Sequence, residues 1–214
     1  MHQYINEELR KCVGLEALYA FKAVDNLKNE FTDGIIHGAF RRTTGEIFLN
    51  TRLGATPRRA VATYLHEVGH LLAYESCMST SPNADAHNPY FGVLVAVMYR
   101  RANLLEYLEI YDFCDTSVGQ RANHLDQMAE DEELIARFTY ILRRSARLAK
   151  LELSMELLAA KLYYEDYEQH KKTGIFPIPP DLTKDLPWLK IGIVFSALTG
   201  LAAATGAIAA AIFP

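Results

Sequence analysis

Apolar residues recur at a helical spacing from about Glu7 to Phe31, where Val13, Leu15, Leu18, Tyr19, Phe21, Val24 and Leu27 predict one helix. Asp33-Gly34 ends it. The pattern then turns β-like in Ile35–Phe40 and Glu46–Asn50, where Ile47 and Leu49 alternate with Phe48 and Asn50. The intervening Arg41-Arg42-Thr43-Thr44-Gly45 predicts a hairpin turn. A lone hairpin is marginal in water, so this one must lie on helices. Thr56-Pro57 reads as an N-cap followed by a first-turn proline, opening a helix that carries Val61, Tyr64, Leu65, Val68, Leu71 and Leu72 to about Tyr74. After a polar loop over Ser79–Asn88, Asn88-Pro89 repeats the signal and predicts a helix to Phe113. Gln120–Thr173 holds neither Gly nor Pro and predicts one or two long helices.

The expected fold is therefore α+β: a mainly helical domain over residues 1–173, with a small antiparallel hairpin over the Thr56–Tyr74 helix. Residues 174–188 are proline-rich and predict a linker, and 189–214 predict an apolar C-terminal helix. Ile191–Phe213 carries no charge and is long enough to span a bilayer, which takes ~20 helical residues. Lys184, Lys190 and Trp188 flank it on one side only, so a tail anchor with the preceding domain in the cytoplasm is expected. A buried Ala-rich core helix is the other reading of this run. Gly192, Ser196, Gly200, Ala203 and Ala207 form a small-residue strip suited to self-association or to docking with another membrane protein, although Ala/Gly-rich runs also produce such strips by chance.

Composition narrows the function classes. With 214 residues, half of them apolar, the chain can bury a sizeable core. A net charge of −4 offers no basic footprint, so no nucleic-acid partner is expected. Cys12, Cys77 and Cys114 are odd in number and form no CxxC pair, so neither a disulfide framework nor a thiolate zinc site is readable and a reducing compartment is the simplest expectation. The opening MHQYINEELRKC lacks the apolar core of a secretory signal.

The chemistry lies in Thr63-Tyr64-Leu65-His66-Glu67-Val68-Gly69-His70-Leu71-Leu72, which contains HExxH. Histidines four apart project from one helical face and can reach one zinc ion. Glu67 then sits beside the open coordination position as general base toward a zinc-activated water and as acid toward the leaving amine. Gly69 costs ~1 kcal/mol in a helix and implies crowding, either at the metal or against a facing strand. Two histidines incidentally spaced on an amphipathic helix are the bland alternative.

The run GEIFLN…TPRRAVATYLHEVGHLLAY resembles the core of small gluzincins, the ImmA/IrrE-type peptidases and the peptidase domain of plasmid antirestriction proteins. The resemblance covers roughly Gly34–Tyr74, with a weaker piece near Glu133. It implies a zincin-like (minigluzincin) fold for residues 1–173, a Zn2+ cofactor, peptide-bond hydrolysis, and a strand around Ile47–Asn50 that lies over the cleft and pairs with extended substrate. The metzincin extension is excluded, because Ala73 and Ser76 stand where Gly and His are needed. Gluzincins supply a third ligand as Glu-x-x-Ala on a later helix. Glu133, followed by Ala136, matches that pattern, with Glu130 and Asp131 as alternatives and a solvated acidic face as the ordinary use of such a run.

His87, Tyr90, His124 and Tyr140 are weaker candidates for holding the oxyanion, each more readily explained by packing or exposure. His124 and Asp126 are a further weak pair, as ligands or as partners of ligands. The expected function is a membrane-tethered zinc peptidase acting on a protein or peptide. The alternative is a membrane-inserting or structural assembly protein, virion- or toxin-associated, whose zincin-like domain only binds. Retention of Glu67 favours the enzyme, since a binding module has no use for a general base.

Overall fold

The computed structural model describes residues 3–28, 35–51, 56–78, 87–114 and 132–173, with the side chains of 132 and 133 excepted. His124, Asp126, Glu130, Asp131, the linker and the apolar run 191–213 lie outside the described residues. Among the described residues, no helix is long and apolar enough to cross a membrane.

Asn6 opens helix α1 (Glu7–Val13) by accepting from the Glu8 and Leu9 N–H groups. Gly14, at φ 80°, ends it in the left-handed region that glycine enters at little cost. The helix expected to continue to Phe31 stops here. Its later apolar residues instead build strand β1 (Phe21–Val24), which pairs in parallel with β3 (Glu46–Asn50). Val13 and Leu15 face the core, and Phe21 packs edge-on against Tyr64, 5.8 Å between centroids, so apolar contact that a helix would have used is made by a strand.

The hairpin forms as expected. Strand β2 (Gly38–Arg41) pairs antiparallel with β3 across a turn closed by Gly45 at φ 68°. The sheet order is β1-β3-β2, so β3 is central. Ile47 and Leu49 point inward and are buried, while Phe48 lies outward beneath Lys22 and Arg41.

This sheet rests on α2 (Pro57–Glu75), capped by the Thr56 hydroxyl. Beneath α2 runs α3 (Pro89–Arg101), buried from Pro89 through Tyr99. Gly69 marks the crossing of the two helices. A β-carbon there would meet Val95 at 2.8 Å and Phe91 at 3.0 Å, so the glycine serves the packing of helix on helix rather than the metal or a strand. Helix α3 ends at Arg101, short of the expected Phe113, because Asn103 takes a left-handed φ of 54°. The chain then returns over α2 through two 3-10 turns, Leu105–Tyr107 and Ile110–Asp112.

On the far side of α3 lie α4 (Glu132–Ala149) and α5 (Met155–Leu162). The latter passes through a π-helical turn, Tyr163–Tyr167, into α6 (Glu168–Thr173). That turn holds buried Asp166 against the Tyr140 hydroxyl and the Arg144 guanidinium, 2.6 and 2.7 Å away. The break between α4 and α5 needs neither Gly nor Pro. Arg101 donates to the carbonyls of Val13, Leu151 and Leu153, and Ser154 caps the next helix.

Candidate metal centre

His66 and His70 stand one turn apart on α2, as their spacing requires. His87 joins them from the residue before Asn88, whose side chain caps α3 by accepting from the Tyr90 and Phe91 N–H groups. One nitrogen of each of the three imidazoles lies within 4.8 Å of the others, a grouping that could hold a metal ion. Phe91, one turn into α3, touches all three rings, stacking on His70 at 4.3 Å and meeting His66 and His87 at 5.1 and 5.2 Å. The cluster thus forms where the start of α3 crosses the middle of α2.

The residues fit a metal on three counts. Nε2 of His87 is buried and has no hydrogen-bond partner among the described residues, an arrangement that is costly unless something else takes up the lone pair. Burial, and then the neighbouring His66, holds His87 down to about 3, and burial with His66 and His87 holds His70 well below the usual histidine range. Both are therefore neutral near pH 7, the form that ligates. Nδ1 of His66 lies 2.6 Å from the buried Asp112 carboxylate, leaving Nε2 as its ligand atom. Burial alone would lower the His66 pKa. Asp112, with Glu67 and Glu109 nearby, more than offsets that and raises it.

Glu67 is buried on the sheet side of α2. The Asn50 N–H donates to the His37 carbonyl, 2.8 Å, so in the alternating antiparallel ladder Ala39 and Arg41 also face β3. The backbone groups of Gly38 and Phe40 consequently face the outer edge of β2, which pairs with no strand among the described residues. Glu67 accepts the Phe40 N–H there. Gly38 makes room for it: a β-carbon at that position would lie 2.7 Å from Glu67 Oε1 and 2.7 Å from Thr63 Cγ2. Burial pushes the Glu67 carboxyl up to about 7, against the opposing pull of His66 and the Phe40 N–H.

On the other flank, Tyr111 lies nearly parallel to His66 at 5.7 Å and 4.2 Å from His87. It is 52% exposed, so it forms the solvent-side wall of the cluster.

The structure thus brings together His66, Glu67 and His70, as the motif requires, and adds His87 and Asp112. In the sequence His87 is only a weak oxyanion candidate, and its place directly before the Asn88-Pro89 cap is the one signal of a fixed position. Asp112 carried no signal, being an acid in an expected helix. Tyr140 is buried against Asp166, a packing role. Glu133 lies on α4, and its side chain is outside the described residues. The strand Ile47–Asn50, expected to pair with substrate, has both edges taken by β1 and β2. The edge beside Glu67 belongs to β2 instead. No family model, curated protein or solved structure matches the chain.

Proposed function

We propose that the protein is a zinc-dependent peptidase whose metal is held by His66, His70 and His87, with Glu67 as general base and acid. The observation that carries this reading is the cluster of three imidazoles with a buried carboxyl, Glu67, next to His66 and bonded to the Phe40 N–H at the edge of β2. Three imidazoles and an open position are a usual donor set for catalytic zinc. Bound there, zinc would supply Lewis acidity and lower the pKa of a coordinated water toward ~7.

The protein's own residues account for the rest. Glu67, buried next to His66, can take up a proton as the scissile carbonyl is attacked and release it to the departing amine. Its bond to the Phe40 N–H fixes the carboxylate while the outward groups of Gly38 offer an extended peptide a strand to pair with. Asp112 holds the His66 ring and its tautomer. Tyr111 bounds the cleft opposite the sheet. Membrane tethering through 191–213, with the peptidase domain cytoplasmic, completes the proposal. The experiment is elemental analysis and peptide hydrolysis of wild type beside Glu67→Gln. Retained zinc with lost cleavage supports the enzyme, and equal cleavage by both proteins overturns it.

A further inference from the structure

The Asp112 carboxylate does not reach His66 from a helix or a strand. It comes from a 3-10 turn, the weakest of local supports, at the end of a return segment whose path no ladder dictates. Something must hold that segment on α2. Two ion pairs do. Arg58 donates to the Asn103 carbonyl, 2.6 Å, and also pairs with Glu106. Arg59 Nη1 lies 2.6 Å from Glu109 Oε1, with its guanidinium over the Tyr107 ring. Glu109 is also the residue that opens the second turn, its N–H donating to Asp112 Oδ2 at 2.7 Å, while Asp112 Oδ1 meets His66 Nδ1.

These contacts close a ring that leaves α2 at Arg59 and returns to it two turns later at His66: Arg59 to Glu109, Glu109 to Asp112, Asp112 to His66. An exposed ion pair ordinarily contributes little to stability, and Arg59 and Glu109 are 32% and 53% exposed. Their placement matters more than their energy, because Glu109 carries both the ion pair to Arg59 and the N–H that Asp112 Oδ2 accepts.

We infer that Arg59 and Glu109 are positioning residues for the metal centre, acting on His66 through Asp112 without touching the metal themselves. The inference rests on the metal-centre reading above. Its content is that an ion pair at the protein surface sets metal affinity and coordination geometry.

The test uses the full-length protein as wild type, Arg59→Met, Glu109→Gln and the double variant. Zinc affinity is read by competition with a chromophoric chelator, and geometry by the visible spectrum after Co2+ substitution. Each single variant should bind zinc about three- to tenfold more weakly, less than the 10–100-fold typical of a direct partner of a ligand. The double variant should lose no more than the weaker single, since both remove one pair. The Co2+ bands should shift, and thermal melting should stay as in wild type. Wild-type affinity and an unshifted spectrum in both singles would overturn the inference, as would additive losses or losses that track a lower melting temperature. A wild-type protein that binds neither zinc nor cobalt would remove the metal centre itself. That outcome is distinct from normal binding by wild type and variants alike.

Discussion

The two flanks of α2 serve the same site by different means. On the sheet side, Glu67 is held by backbone: the Phe40 N–H takes its carboxylate, and Gly38 contributes by having no side chain. On the opposite side, His66 is held by a side chain, the Asp112 carboxylate, carried on a turn and framed by His87 and Tyr111. A backbone donor is indifferent to residue identity and intolerant of bulk or of a shift in strand register. A side-chain acceptor tolerates modest shifts and fails when its chemical identity changes. The flanks should therefore break under different substitutions and lose different properties.

The largest effect is expected at the cluster that both flanks share. His87→Ala should reduce zinc from about one per chain to near none by elemental analysis, as should His70→Ala, because two imidazoles under-ligate the ion. Glu133→Ala measured alongside separates the histidine from the glutamate that the gluzincin resemblance implies. Unchanged zinc in His87→Ala, with loss in Glu133→Ala, would return the third ligand to α4.

Next comes the proton carrier on the sheet side. Glu67→Gln preserves shape and removes basicity, so hydrolysis should fall by about 10²–10⁴-fold while zinc content holds. Zinc lost together with activity would mean that Glu67 supports the ligands and does not shuttle protons.

Asp112→Asn tests the other flank. Zinc affinity should fall by about 10–100-fold, the usual consequence of losing a carboxylate behind a ligating histidine. Affinity equal to wild type would show that the His66 ring is oriented by its packing against Phe91 and Tyr111 alone.

The smallest effect, and the sharpest contrast, belongs to Gly38→Ala. The added methyl group would lie 2.7 Å from Glu67 Oε1 and Thr63 Cγ2. Either β2 or the carboxylate must yield, and a displacement near 1 Å can cost about 10²-fold in rate, with roughly tenfold expected for partial relaxation. Zinc affinity should be unchanged, because no ligand moves. A variant that loses metal and keeps its rate per bound metal would erase the distinction between the flanks.

The sequence alone determined what depends on one element at a time. The His66–Glu67–His70 spacing places all three side chains within one turn of α2, and the Thr56-Pro57 and Asn88-Pro89 caps start both central helices where they were expected. Alternation in Ile47–Asn50 marks the buried face of β3. These are local: capping and periodicity act within about a turn or a pleat of the residue that carries them.

What only the tertiary structure decided is where separate elements meet. The apolar residues after Gly14 serve a parallel strand as well as a helix, and pairing with β3 made the choice. β3 became the central strand rather than the open one for the same reason. His87 became a third partner because Gly69 lets α2 and α3 approach until the α3 cap lies beside His70. Asp112 reached His66 because Asn103 turned the chain back across α2. A ligand set closes through the crossing of two helices and the path of a return segment. That geometry arises from packing among residues far apart in sequence, which no local pattern along the chain records.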